Sequence, residues 1–365
     1  MKILHIIDHW GLGGAQRTVV NLANTDREHH HEVACLFAHG RHPWPLVEGT
    51  PLHVLVRSYG RICLLPWLLR RLVKRVNPDV IQIHLNGSRF LTAPALWRLS
   101  PRPTRVWHEH SGIEILHLYG RLPGKLLVAM QKRLLGGVDA LVANSRDTAE
   151  FCRLHLAAPR EKTHILGCPL DEAAILEQAG KGLAEPPPGP TGDGPIIGFV
   201  GRLNFQKGWQ DVLTLADATR RTHPEYQLWI VGDGPDKALL RADIEARDLR
   251  QRVLFWGERG DVFAIMNRLS VLVVPSRFEP FGMVAAEAMV LGKPVVGYAV
   301  NGLAELLEGH RLGFAVTPNR PDLLAAAVAD VLRSPPAKVP SGCDFGYLLD
   351  RWQTFYGRFR EGSRT

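Results

Sequence analysis

Two doubly wound α/β domains in series, each a parallel sheet covered by helices, are what this sequence predicts. Its 365 residues correspond to two or three domains at about 150 residues each. Short β-branched runs alternate with helical patterns through both halves of the chain. Between the halves, residues 180–195 (GKGLAEPPPGPTGDGP) break all periodicity with Pro and Gly, after which the rhythm restarts.

In the first half, strands are expected at Lys2–Ile7, Glu32–Phe37, Leu52–Val56, Val80–His84, Arg105–His108, Ala140–Ala143 and Thr163–Leu166. Most are continuously apolar, as parallel strands covered on both faces should be. Helical stretches such as Gln16–Ala23 and Lys125–Leu135 separate them, giving repeated βα units. The second half repeats the pattern with Ile196–Val200, Gln227–Val231, Val253–Phe255, Val271–Pro275, Pro294–Tyr298 and Phe314–Val316. Residues 345–360 carry Phe345, Tyr347, Trp352, Phe355, Tyr356 and Phe359, which predicts a final helix docked on a neighbouring surface. The expected boundaries are 1–180 for the first domain, 181–195 for a linker and 196–344 for the second domain, with 345–365 a helix able to cross back to the first.

Apolar residues at 45% and charged residues at 22% exclude a disordered or fibrous chain. No apolar run approaches the ~18 residues of a membrane span. The opening Met1–Ile7 is cut short by Asp8 and lacks the apolar core and cleavage site of a secretory signal. Cys35, Cys63, Cys152, Cys168 and Cys343 are scattered without a Cys-x-x-Cys pair, so neither a disulfide framework nor a zinc cluster is expected, and a reducing cytoplasm fits. The net charge of +8 leaves three partners open: nucleic acid, an anionic membrane surface, or a small phosphate-bearing ligand.

The most informative stretch is residues 279–296, EPFGMVAAEAMVLGKPVV, which follows the strand Val271–Pro275. Gly282 allows close backbone approach, and Met283–Val290 is a helix-forming run stopped by Gly292 and Pro294. A helix start beside a strand end offers backbone N–H groups and a positive dipole end to a phosphate. Glu279 before that helix and Glu287 one turn into it suit the hydroxyls of a nucleotide sugar, one for the hexose and one for the ribose. Taken singly, each reads rather as a solvated charge, Glu287 on a helix and Glu279 in a loop.

Residues 201–208, GRLNFQKG, follow the strand Ile196–Val200; Gly201 ends the strand, and Arg202 and Lys207 combine a planar fork with a compact cation, a pairing suited to a diphosphate. Gly11–Gly14 (GLGG) follows the first strand; it is not a G-x-G-x-x-G fingerprint, and it reads as a loop whose amides at Gly13 and Gly14 approach a ligand or as a plain tight turn. Residues 108–112, HEHSG, put His108 and His110 at a carboxyl strand edge, where a ring can donate a hydrogen bond. No third ligand at sensible spacing is visible, so no metal is expected.

These segments, in this order, resemble the retaining nucleotide-sugar glycosyltransferases of family 4, which have the GT-B fold. Glu279 and Glu287 match that family's E-x7-E pair, and residues 201–208 match its G-x-L-x-x-x-K-G element. Gly232–Pro235 (GDGP), Phe255–Gly257, Val300–Leu306 (VNGLAEL) and Asn144–Ser145 fit further segments. The resemblance implies a cleft between two Rossmann-like domains, with the second binding the donor. It implies that Arg202 and Lys207 hold the diphosphate, that Glu287 binds the ribose and that Glu279 contacts the transferred sugar. Phe281, Gly282 and Met283 would help hold sugar or phosphate, Gly201 and Gly232 would line the donor loop, and Phe255 and Trp256 would lie near the base. His110, ahead of His108, would approach the sugar's hydroxyls, and Gly13 and Gly14 would contact donor or acceptor. The catalytic set implied is Glu279, His110, Arg202 and Lys207, with no metal and no cofactor.

Two departures stand out: Asn301-Gly302 where the family often has Gly-Gly, and residues 167–171 (GCPLD) in place of Asn-Gly-(Val/Ile)-Asp. The expected donor is a UDP- or GDP-sugar and the expected acceptor a glycan or lipid-linked glycan, in cell-surface polysaccharide, glycolipid or lipopolysaccharide synthesis. A sugar-nucleotide epimerase, a phosphorylase and a non-catalytic nucleotide-sugar-binding protein are the rival readings. Residues 57–75 mix Trp67 and several Leu with Arg61, Arg70, Arg71, Lys74 and Arg75, and 121–133 form a second basic patch. Such a helix lies on an anionic bilayer or covers the sheet with its cations solvated, so peripheral attachment to the inner membrane face stays open. Nucleic-acid binding is not expected, because no recognition module accompanies the charge.

Overall fold

The structure, a computed structural model, describes residues 1–11, 13–38, 45–57, 59–96, 99–111, 121–183, 185, 193–337 and 345–361. It holds two compact units: Met1–Asp171 with Gly346–Thr365, and Glu172–Phe345.

The first unit is a sheet of seven strands: β1 (Lys2–His9), β2 (His30–Phe37), β3 (Leu52–Val56), β4 (Val80–His84), β5 (Thr104–Glu109), β6 (Ala140–Ala143) and β7 (Thr163–Ile165). All pair in parallel, in the order β3-β2-β1-β4-β5-β6-β7. Alternation along β1 sends Leu4 and Ile6 to one face, where they pack with Leu65, Leu69 and Leu72 of the helix Leu65–Val76. Ile3 faces the other way, onto Leu22 and onto Trp352, Phe355 and Tyr356 of the final helix Gly346–Glu361. Both faces are thus covered, which is why these strands are apolar throughout.

The second unit has six parallel strands: β8 (Ile196–Val200), β9 (Gln227–Val231), β10 (Val253–Gly257), β11 (Val271–Val274), β12 (Val295–Tyr298) and β13 (Gly313–Val316), in the order β10-β9-β8-β11-β12-β13. Its core joins Ile197, Phe199, Val212, Leu213, Ile230, Val273, Tyr298 and Leu324. Each expected strand forms, with ends shifted by no more than two residues. The doubly wound fold class is borne out in both units.

One boundary differs from the sequence reading. The helix Glu172–Gly180 belongs to the second unit. It packs against the helices Val262–Arg268 and Met283–Val290, with Ile175 and Ala179 buried. Of the segment read as a linker, residues 184 and 186–192 lie outside the described residues.

In each sheet the winding reverses beside the first strand of the unit, between β1 and β4 and between β8 and β11. The carboxyl ends of strands at such a reversal form a crevice, the usual ligand position in open α/β sheets.

Candidate active site

At the reversal in the second unit, three loops after adjacent strands are tied together. The loop after β8 makes a 3₁₀ turn at Phe205–Lys207, capped by Asn204, whose side chain accepts from the Lys207 amide at 3.1 Å. Gly208 follows at φ 65°, and a Cβ there would lie 2.1 Å from the Pro275 carbonyl oxygen. Only glycine lets this loop touch the one after β11. The contact is reinforced by Gln206, whose side chain donates to the Phe278 carbonyl at 3.0 Å and whose carbonyl accepts from the Arg277 amide at 2.8 Å.

The result is an ion pair between Lys207 Nζ and a Glu279 carboxylate oxygen, 72 residues apart in sequence. The same oxygen accepts from Ser276 Oγ at 3.1 Å. The loop after β12 completes the seat: Asn301 Oδ1 accepts from the Glu279 amide at 3.3 Å, and the Glu279 carbonyl accepts from the Leu303 amide at 3.2 Å. Asn301 has φ 44°, a left-handed conformation that Asn tolerates. The Asn-Gly departure therefore keeps a glycine-like backbone and adds a side-chain acceptor.

Glu279 and Glu287 are both buried, at 9% and 8% exposure, which does not fit solvated surface charges. Glu287 lies in the helix Met283–Val290, whose N-cap Gly282 has φ 96°. Phe281, Gly282 and Met283 stand at that N-terminus, where the first amides have no partner within the helix. Arg202 is exposed and forms no ion pair among the described residues. Gly201 and Gly232 touch: a Cβ on Gly232 would lie 1.9 Å from the Gly201 carbonyl oxygen. Phe255 and Trp256 lie on the edge strand β10, two strands from β8. Phe255 is half-buried between Lys237 and Arg241, and Trp256 is buried against Trp229. The structure thus gathers Lys207 and Glu279 directly, keeps Gly201, Gly232 and the helix start at neighbouring strand ends, and leaves Phe255 and Trp256 at the margin.

In the first unit, Gly13 and Gly14 open the helix Gly14–Thr25 and are exposed; Leu12 and Gly112 of the two motifs lie outside the described residues. A Cβ on Gly14 would meet open space, and one on Gly13 only the movable Gln16 side chain. Neither glycine is demanded by crowding. His108 is fully buried, with Nε2 2.6 Å from Asn144 Oδ1 and Nδ1 3.1 Å from Gln82 Nε2. Burial pushes its pKa down to about 3. His110, just past β5, is half-buried and is also driven well below the ordinary histidine value by burial. Of the two rings, His110 is the one with access.

Three features escaped the sequence reading. His84 brings a third imidazole beside His108 and His110, with one nitrogen of each ring lying within 4.8 Å of the others. Ser276 and Gln206, which seat Glu279 and its loop, carry no spacing signal. His5, His31 and Asp26 extend the histidine cluster through the sheet. A lone histidine in an apolar run reads as a satisfied core residue, so nothing marked them.

Two doubly wound parallel-sheet units in series are the architecture of a GT-B glycosyltransferase, and the part-buried Lys207–Glu279 pair sits at the sheet reversal of the second. The family model for glycosyl transferases group 1 matches residues 184–341, and the model for glycosyltransferase family 4 matches residues 12–174. The 2-deoxystreptamine glucosyltransferase of Streptomyces kanamyceticus is 31% identical over 282 residues, covering 73% of this chain and 71% of the relative. The lipopolysaccharide core biosynthesis glycosyltransferase LpsD of Rhizobium meliloti is 26% identical, covering 92% and 89%. The crystal structure of Anabaena HepE in complex with UDP-glucose superposes with a TM-score of 0.75 at 21% identity, covering 99% of both chains. That of WaaG, a glycosyltransferase involved in lipopolysaccharide biosynthesis, gives 0.66 at 17%, covering 97% and 94%. The chain belongs to the glycosyltransferase family that these two models describe.

Proposed function

We propose that this glycosyltransferase moves a sugar from a nucleoside diphosphate sugar, with retention of configuration at the anomeric carbon. The observation that carries the reading is the Lys207–Glu279 pair, held at the sheet reversal by Ser276, Asn301 and Gln206. Glu279 takes a hydroxyl of the transferred sugar, and Glu287 the ribose. Arg202 and Lys207 take the diphosphate and stabilise the charge that develops on it as the glycosidic bond breaks. The amides at the start of the helix Met283–Val290 add donors for the same charge. With no protein nucleophile required, rate comes from fixed cations and from orientation of donor and acceptor. The Anabaena neighbour's complex with UDP-glucose supports a nucleotide-sugar donor. Relatives named for lipopolysaccharide core biosynthesis support a glycan or lipid-linked acceptor.

The test begins with nucleoside diphosphates screened by thermal shift, since a ligand of the folded state raises the melting temperature. Transfer is then followed with the sugar nucleotide selected. Lys207→Ala should lower kcat/KM by roughly 10²–10³, the scale for losing one charge-stabilising donor. The product should keep the anomeric configuration of the donor. Turnover without acceptor, or dependent on inorganic phosphate, would instead establish an epimerase or a phosphorylase. Intact transfer in Lys207→Ala would remove the role assigned to that residue.

The helix Leu65–Val76 supports a second reading, attachment to an anionic membrane face. Leu65, Leu69, Leu72, Val73 and Val76 are used in the core, while Trp67 is 58% exposed beside Arg71, Lys74 and Arg75. Leu126, at 64%, and Met130 stand exposed among Lys125, Lys132 and Arg133 on the helix Arg121–Leu134. No helix among the described residues is long and apolar enough to cross a membrane. Cosedimentation should favour phosphatidylglycerol over phosphatidylcholine vesicles and weaken with salt; equal binding to both would end this reading.

A further inference from the structure

A file of buried rings crosses the first sheet from the amino end of β2 to the carboxyl end of β5. It starts at Asp26, fully buried after the helix Gly14–Thr25, whose Oδ2 lies 2.8 Å from His29 Nδ1 and 3.1 Å from His31 Nε2. His31 Nδ1 lies 2.8 Å from His5 Nε2, and His5 Nδ1 lies 3.1 Å from His84 Nε2. His84 Nδ1 lies 2.8 Å from His110 Nε2. Among the described residues His110 Nδ1 has one long contact, Asn144 Nδ2 at 3.5 Å. The final helix roofs this layer, Gln353 reaching Asp26 at 3.2 Å and Tyr356 bonding to Gln82.

One end fixes the sense of the whole file. An ionised carboxylate only accepts, so His31 Nε2 carries the proton and, in a neutral ring, Nδ1 is bare. His5 must then donate from Nε2, His84 likewise, and His110 likewise. The amides agree: Asn144 donates to His110 and accepts from His108, while Gln82 donates to His108 and accepts from the Tyr356 hydroxyl. The other charges at the cluster, Arg89 and its buried partner Glu109, disfavour protonated rings through the nearer guanidinium. Hydrogen bonds thus occupy both nitrogens of His84 and of His108, so the three-histidine cluster is a hydrogen-bonded array, not an open chelate.

We propose that Asp26 is a positioning residue: through His31, His5 and His84 it fixes His110 as a neutral ring with an unprotonated Nδ1, which exchanges the 3.5 Å Asn144 contact for a ligand hydroxyl at the carboxyl end of β5. The proposal rests on the donor-site reading for the hydroxyl alone. The ring tautomers follow from the file itself, and no proton is transferred.

The experiment is long-range ¹H–¹⁵N correlation on the full chain labelled at histidine, at pH 7. The expected result is protonated Nε2 and bare Nδ1 on His5, His31, His84, His108 and His110. In Asp26→Asn the amide can offer oxygen or N–H to His31, so a second tautomer should appear at His5, His84 and His110. His108, held by Gln82 and Asn144, should keep one form and thereby report an intact fold. His5→Phe, cutting the file midway, should mix tautomers at His84 and His110 and spare His31. Transfer with the sugar nucleotide selected above should fall roughly three- to tenfold in Asp26→Asn, the worth of one hydrogen bond. A protonated Nδ1 on His110 in the parent protein, or an unchanged His110 in both variants, would overturn the proposal. So would displacement of the His84 and His110 signals by equimolar zinc chloride, which would make the cluster a metal site. Altered tautomers with undiminished transfer would overturn the positioning role and leave the Lys207 result standing.

Discussion

At Gly208 the loop after β8 passes so close to Pro275 that a single methyl group has nowhere to go. Gly208→Ala therefore meets two penalties, a backbone clash and about 1–2 kcal/mol for an L-residue in the left-handed region. Relief requires the two loops to part, which separates Lys207 from Glu279. The expected outcome is a lower melting transition for the second unit and a loss of nucleotide binding in proportion, measured by calorimetry and by titration of the nucleotide. Retention of both would show that the loops do not depend on this contact. The residue types were legible in sequence, since an Arg–Lys pair and two carboxylates after strand ends suggest a phosphate and sugar hydroxyls. Their seating was not: Ser276, Gln206 and Asn301 are ordinary loop residues until the strand order β8-β11-β12 brings their loops together.

Among the elements, the final helix carries the clearest stability prediction. Trp352 is fully buried, donates Nε1 to the Gly167 carbonyl at 3.2 Å, and lies with its ring 5.0 Å from that of His108. Trp352→Ala should cost about 3–5 kcal/mol in the first unit and leave the second unchanged, read as separate calorimetric transitions. An equal loss in both units would mean that the helix supports more than the sheet beneath it. The strands were legible nearly to the residue because both-face burial leaves a continuous apolar signature. The helix Glu172–Gly180 was assigned to the wrong unit because its sequence shows an apolar stripe but not the neighbour that stripe will cover. The aromatic residues of the last helix announced a docking surface. The polar ring layer under it was silent, since His5, Gln82 and His84 are single polar residues inside otherwise buried strands.

For the molecule as a whole, the buried rings set an acid limit. The folded pKa of His108 is about 3, against ~6.5 for an unfolded histidine, so below ~6.5 the unfolded chain binds a proton that the folded ring refuses. Stability is complete above that value and declines as pH falls towards about 3, by up to ~1.4 kcal/mol per pH unit for this ring. His5, His31, His84 and His110 are lowered by burial in the same direction and add to the slope. Asp26, held ionised by His29 and His31 despite its burial, contributes fully above ~3.9 and loses its share only in stronger acid. The first unit should therefore melt at steadily lower temperature between pH 7 and pH 5, while the second moves little. A first transition independent of pH over that range would contradict neutral buried rings. The division of the chain also bears on synthesis. Glu172–Phe345 is one continuous stretch, whereas the other unit needs Trp352, Phe355 and Tyr356 to close its sheet. On the ribosome, the portion translated first must wait half-covered until those aromatics emerge, so the later-made unit is the earlier to mature, and the waiting sheet is the natural client for a chaperone.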